Sequence, residues 1–347
     1  MSPAMNDSQR AIAPVRGADG CTRVCVDAMG ADFEPGLAAE AAQRAAASDP
    51  ELEIELIGDA ELLKRVPRSP RELAPRISVI DCARAVPMNA SASEAIRGGR
   101  GTSMARGLER VAEGAADALV SAGNTGALMA LARARLGMLP GVERPALMTR
   151  FPVRGGSAWV LDLGANLHVD AERLSEFALL GSAAVGALLG RAPRVALLNI
   201  GREPGKGPDV VREAARRCAV AELDFIGFIE GHDVFAGLAD VVVCDGFAGN
   251  VLLKSSEGAI GMLLDQVDRS AAGWLTSPGL RRLRSQLHER YDPAGHNGAS
   301  LLGIGGIVIK SHAHASIAGM AHAIGVAAQE VRRRMLPELE RALWACG

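Results

Sequence analysis

The sequence predicts an α/β protein built on a largely parallel sheet. Three observations carry that prediction. Short apolar runs such as Val241-Val242-Val243-Cys244 read as strands buried on both faces. They alternate with longer apolar-periodic stretches that read as helices, the pattern of strand–helix–strand units. Turns rich in glycine join strand to helix, and 40 glycines in 347 residues supply them.

Taken in order, residues 1–20 lack periodicity and read as a disordered tail. Thr22–Val26 is the first strand, and Pro35 opens an alanine-rich helix to about Ala47. Glu53–Ile57 is a second strand, followed by a helix to about Lys64, and Ile77–Ile80 is a third. From Val86 to Gly101 the pattern breaks, and serine and glycine suggest a mobile surface segment. Thr102–Glu113 is a helix, Ala118–Ser121 a strand, and Asn124 starts a helix to about Leu136. Ala146–Thr149 and Ala158–Leu163 are strands, Glu172–Leu189 a helix, Val195–Ile200 a strand. Pro208 begins another helix, and Asp224–Ile229 is the next strand. Val241–Cys244 then leads through Asp245 and Gly246 into a helix carrying Val251 to Lys254. Leucines and arginines from Leu263 to Arg290, interrupted at Ser277-Pro278-Gly279, suggest a helical hairpin at about 259–291 with a basic tip bearing Trp274 and Leu275. Ile304–Ile309 is the last strand and Ala315–Met335 the closing helix. Residues 21–347 therefore read as one catalytic unit, whose chain crosses between two lobes.

Composition narrows the function. Apolar residues make up 48% and charged residues 22%, as in a soluble globular protein. A formal net charge of −2 argues against a dedicated nucleic-acid binder. No apolar run approaches the ~20 residues of a membrane-spanning helix. The six cysteines show no metal-ligand spacing and read as free thiols of a reducing cytoplasm.

Three strand-end turns concentrate the candidate chemistry: Ser121-Ala-Gly-Asn-Thr-Gly126, Leu197-Leu-Asn-Ile-Gly201 and Asp245-Gly-Phe-Ala-Gly-Asn250. Unpaired N–H groups at a helix start attract anions, so three such turns point to a phosphate-bearing substrate. Gly201-Arg-Glu-Pro-Gly-Lys-Gly207 is not a nucleotide-binding P-loop, because three residues separate its first two glycines and Gly207 follows Lys206. Lys206 can still hold an anion. No dinucleotide fingerprint and no nucleophile elbow occur. Lys310 and His312 follow the last strand, where open α/β sheets bind ligands. Lys310 suits a phosphate or oxyanion, and His312 a proton near neutral pH. His312 and His314 find no third metal ligand nearby.

An ordered set of motifs resembles the PlsX-type phosphate acyltransferases of bacterial phospholipid synthesis. They are Val-Asp-Ala-Met-Gly-Ala-Asp (26–32), Ser-Ala-Gly-Asn-Thr-Gly-Ala-Leu-Met-Ala (121–130), Leu-Asp-Leu-Gly-Ala-Asn (161–166), Leu-Leu-Asn-Ile-Gly (197–201), Phe-Ile-Gly (225–227), Asp-Val-Val-Val-Cys-Asp-Gly-Phe-Ala-Gly-Asn-Val (240–251), Gly-Ala-Ser-Leu-Leu-Gly (298–303) and Val-Ile-Lys-Ser-His (308–312). The resemblance implies a three-layer α/β/α fold like the isocitrate and isopropylmalate dehydrogenases, shared with phosphotransacetylases. It implies transfer of a long acyl chain from acyl carrier protein to inorganic phosphate, with no cofactor and no metal. A homodimer is implied, cytoplasmic and peripheral to the inner face of the membrane, where a glycerol-3-phosphate acyltransferase takes the acyl phosphate.

On this footing Lys310, His312 and Asn124 are the expected catalytic residues. Gly123, Thr125, Gly126, Asp245, Gly246, Gly249 and Asn250 are the expected phosphate binders. Asp27, Asp162, Asn166, Asn199 and Lys206 are expected to support the loops. The alternatives are a short-chain phosphotransacetylase using acyl-CoA, a decarboxylating dehydrogenase of the same fold, and a non-catalytic lipid- or carrier-binding scaffold.

Overall fold

A computed structural model describes residues 20–30, 34–64, 74–271 and 278–345. The N-terminal tail up to residue 19, Asp32 and the Trp274–Leu275 tip lie outside the described residues. The first half of the chain runs β1 (Thr22–Asp27), α1 (Pro35–Ser48), β2 (Leu52–Gly58), α2 (Ala60–Leu63), β3 (Ile77–Asp81), α3 (Ala92–Gly98), α4 (Ser103–Ala112), β4 (Ala118–Ser121), α5 (Thr125–Leu136), β5 (Ala146–Val153) and β6 (Gly156–Leu161). It continues as α6 (Ala171–Leu189), β7 (Arg194–Leu198), α7 (Asp209–Val220), β8 (Asp224–Ile229), α8 (Gly231–Ala236), β9 (Val241–Val243), α9 (Gly246–Ala271), α10 (Pro278–Tyr291), β10 (Ala299–Leu302), β11 (Ile307–Lys310), α11 (Ile317–Arg332) and α12 (Met335–Ala345).

All eleven strands among the described residues join one sheet, in the order β3-β2-β1-β4-β11-β10-β5-β6-β9-β7-β8. Helices cover both faces. Strand residues alternate between two cores, one with Ala38, Phe177, Met320 and Leu336 from α1, α6, α11 and α12. The other holds Met104, Leu128 and Val234 from α4, α5 and α8. The fold is thus a mostly parallel, three-layer α/β/α sandwich.

The middle of the sheet is not parallel. β11–β10, β10–β5 and β5–β6 are antiparallel, while the other pairings are parallel. Three reversals in succession make the group β3-β2-β1-β4-β11 run opposite to the group β6-β9-β7-β8. The two groups are also offset along the strand direction, so that their C-terminal ends fall in neighbouring rows. Lys310 pairs with Ser121 and with Ala299, at the ends of β4 and β11. In the adjacent row Ser300 pairs with Met148, Met148 with Leu161, and Leu161 with Val243. Strand-end turns of both groups consequently open onto one region of the sheet.

Five local expectations are corrected. The segment 86–101 contains α3, capped by Ser91 and Glu94, each side chain bonding the other's backbone N–H. That capping box favours a helix start even in a serine-rich stretch. β5 and β6 form a hairpin across Arg154-Gly155, and Gly155 takes a positive φ of 81°. Gly305 and Gly306 lie in the turn before β11 rather than inside a strand, and β10 precedes them. The closing helix ends at Arg332, Arg334 adopts φ 54°, and α12 follows. The hairpin's first helix, α9, begins at Gly246 and spans 26 residues.

Candidate active site

A cavity of about 590 Å³ lies where the two strand groups meet. Its polar lining comes from Gly123–Gly126 at the start of α5, Lys310–His312 after β11, and Asn250, Lys254 and Glu257 on α9. An apolar wall is made by Leu147, Phe151, Leu163, Phe235, Leu253 and Ile260. Residues 250, 253, 254, 257 and 260 follow helical spacing, so one face of α9 forms a whole side of the cleft.

Lys310 is the best-defined cation. Its Nζ donates to the Ala122 carbonyl at 3.3 Å and to the Ser311 carbonyl. Burial pulls its pKa down to about 8; Asp27 acts to raise it and Lys254 to lower it further. Asp27 is fully buried on β1, across Ser121 of β4 from Lys310, and accepts from the Ser121 hydroxyl at 2.8 Å and the Met29 N–H at 3.2 Å. The Ser121 hydroxyl in turn accepts from Gly123 N–H at 3.1 Å, so Asp27 fixes the turn that enters α5.

At that turn Asn124 caps α5. Its Oδ1 accepts from Ala127 N–H at 2.8 Å, and its Nδ2 donates to the carbonyls of Met88 at 2.5 Å and Ala90 at 3.2 Å. Both ends of the amide are taken. In this geometry Asn124 caps the helix and holds the 88–90 loop. The Thr125 and Gly126 N–H groups, in the first turn of the helix, have no i−4 partner and line the cavity. Asn124→Ala is expected to cost about 1 kcal/mol through the lost cap, with a further loss from the freed 88–90 loop. Thermal unfolding checks the first, and a raised KM with largely retained kcat checks the second.

The second turn departs further from expectation. Asp245, Gly246 and Gly249 do not line the cavity. Gly246 N–H donates to Asn166 O at 2.8 Å, Gly249 N–H to Asp245 O at 2.9 Å, and Asp245 Oδ1 accepts from Ala248 N–H at 2.7 Å. A Cβ on Gly249 would lie 1.9 Å from the Asp162 carbonyl oxygen. These residues hold α9 tightly against the Asp162–Asn166 loop, and only Asn250 of this group reaches the cleft. Asp162 is buried and accepts from the N–H groups of Leu147, Ala165 and Asn166 and from Asn166 Nδ2. Asn166 Nδ2 also donates to Pro145 O at 2.8 Å. Asn199 and Lys206 sit outside the cleft, where Asn199 Nδ2 donates to Lys206 O at 3.1 Å.

His312 lines the cleft, with Nε2 3.3 Å from Glu257 Oε1. Its backbone N–H donates to Asn297 Oδ1 at 3.0 Å, and Asn297 Nδ2 donates to Ser311 Oγ at 2.7 Å. Glu257 Oε2 pairs with Lys254 Nζ at 2.8 Å. Lys254 and Glu257 were not among the expected site residues. Their spacing from Asn250 along one helix was the available signal.

The fold and this cleft define a three-layer α/β/α protein with one ligand-sized cleft between its two strand groups. The solved phosphotransacetylase from Streptococcus pyogenes has the same fold, with a TM-score of 0.60 and 18% identity over 90% of this chain and 94% of that one. Residues 22–337 match the family described as "Fatty acid synthesis protein". A phosphate acyltransferase of Stutzerimonas stutzeri is 46% identical over 330 residues, 92% of each chain. One from Vibrio vulnificus is 43% identical over 320 residues, 90% of this chain and 94% of that one. The chain belongs to this family of phosphate acyltransferases, and it is an acyltransferase enzyme.

Proposed function

We propose that the enzyme transfers a long-chain acyl group from acyl carrier protein to inorganic phosphate, for phospholipid synthesis. The observation that supports this most is the division of one cleft into a polar end, with the cations Lys310 and Lys254 beside His312, and an apolar wall. The first suits phosphate and the second an alkyl chain.

Phosphate is anionic at neutral pH and needs no base to attack. A phosphate oxygen adds to the thioester carbonyl, the carbonyl electrons move to oxygen, and a tetrahedral oxyanion forms. Collapse breaks the C–S bond, and the electron pair leaves on sulfur. A thiol of pKa ~8.5 is a good leaving group and needs little acid. The work left to the protein is placement and oxyanion stabilisation. Lys310 and the Thr125 and Gly126 N–H groups, which line the cleft, would do this, and His312 would hand a proton to the departing sulfur. No covalent acyl-enzyme is needed.

The family resemblance adds a homodimer, an acidic carrier and an inner-membrane location, with the acyl phosphate passing to a membrane glycerol-3-phosphate acyltransferase. Phe247, Val251, Met262 and Leu263 on α9 are exposed apolar side chains that suit such a contact. On α10 Arg281 and Arg282 are exposed, whereas Arg284 pairs with Asp268 at 2.7 Å and Arg290 donates to Val153 O. No helix among the described residues is long and apolar enough to cross a membrane.

Donor competition tests the substrate. With phosphate present, palmitoyl-carrier is expected to give acyl phosphate faster than acetyl-CoA at equal concentration. Turnover of acetyl-CoA alone would favour the short-chain alternative.

A further inference from the structure

Glu257 is the one acidic side chain among the described residues lining the cleft, which it shares with Lys254, Lys310, Arg150 and His312. Its two oxygens go to two different elements. Oε2 accepts from Lys254 Nζ at 2.8 Å on its own helix, and Oε1 lies 3.3 Å from His312 Nε2 on the loop after β11. Its side chain is 26% exposed. Burial raises its pKa, but the hydrogen bonds from His312 and Lys254 outweigh burial and hold it below the ordinary glutamate value. The carboxylate therefore stays ionised at neutral pH. It occupies the very groups that an incoming oxyanion would use, and it would repel that oxyanion if it stayed in place.

We propose that Glu257 is a built-in competitor for the anionic substrate: it holds Lys254 and His312 before phosphate binds and gives them up when phosphate enters. This rests on the reading of the cleft as a phosphate site. Its consequence is a phosphate affinity set by exchange of one anion for another. Recapture of Lys254 and His312 by Glu257 also favours departure of the phosphoryl product. His312 is then released for proton transfer only when the acceptor is in place.

Calorimetric titration of inorganic phosphate into the full chain, without acyl donor, compares the wild type with Glu257→Gln. Glutamine keeps the shape and removes the charge. Binding is expected to tighten about three- to tenfold, the scale of a partly screened charge pair, and the KM for phosphate to fall by a similar factor. Unchanged or weaker binding by the variant overturns the proposal, as does the absence of phosphate binding by both proteins. A second measurement needs no variant. In wild type carrying ¹⁵N-histidine, phosphate is expected to shift the ring-nitrogen resonances of His312, and an unmoved His312 at saturating phosphate overturns the proposal. Failure of the acyl-transfer assay with the glutamine effect intact would remove the proposed reaction and leave the anion exchange standing.

Discussion

Lys310→Met is expected to lower kcat/KM roughly 100- to 1,000-fold, the usual loss when one preorganised oxyanion donor is removed. The physical reason is the environment of the ammonium. Burial takes its pKa down to about 8, and the contacts of Nζ are carbonyl oxygens, not a carboxylate. The charge is thus held by the strand end and remains open to substrate. The same burial sets a pH signature. Lys310 is charged below about pH 8 and loses its proton above it, so kcat/KM should fall on the alkaline side with a midpoint near 8. Lys310→Arg keeps a cation at every accessible pH and should move that limb upward even if its absolute rate is low. Steady-state pH profiles of the three proteins decide the matter. A methionine variant within threefold of wild type, or an unmoved limb in the arginine variant, would remove Lys310 from the chemistry.

The second large effect is on stability and arises away from the cleft. Glu330 on α11 is fully buried, accepts from the Ser300 hydroxyl through Oε1, and leaves Oε2 without a hydrogen-bond partner among the described residues. Burial pushes its pKa up from 4.5 to about 8, against the lowering effect of Ser300. Below about pH 4.5 both folded and unfolded chains hold this proton, and the group adds no pH dependence. Between 4.5 and 8 the unfolded chain releases the proton while the folded chain keeps it, so stability falls as pH rises. Above about 8 both forms are ionised and the loss is complete. Its full size is on the order of 5 kcal/mol, at 1.36 kcal/mol per pKa unit. Glu330→Gln removes the titration. Denaturant unfolding of both proteins at pH 5 and pH 8 should show a much flatter dependence for the variant. Parallel dependences would contradict this account of Glu330.

What was legible in the sequence was local. Strands such as Ala118–Ser121 and Asp224–Ile229 agree with the structure residue for residue, because a short apolar run between turn residues has few other solutions. The start of α5 was legible for the same reason, since asparagine before a helical run is a cap. β10 was not. Ala299–Leu302 is only four residues between Gly298 and Gly303, and its antiparallel partners lie on β5 and β11, one of them far away in sequence. Nor could the sequence show that the Gly246 and Gly249 N–H groups are taken by Asn166 and Asp245. A glycine beside a helix start looks alike whether it opens to an anion or presses on a neighbouring carbonyl. Here a Cβ on Gly249 would come within 1.9 Å of Asp162 O, which decides for the second. The cleft itself depends on three antiparallel pairings that turn two parallel groups head-on, a tertiary property no local spacing encodes.

The most direct test of the cleft as an acyl-to-phosphate transferase is release of free carrier thiol from palmitoyl-carrier, measured with and without inorganic phosphate, with hydroxylamine trapping the product. Thiol release that requires phosphate and yields palmitoyl hydroxamate in equal amount is the expected result. Release at the same rate without phosphate would mean that water is the acceptor, and would contradict the account.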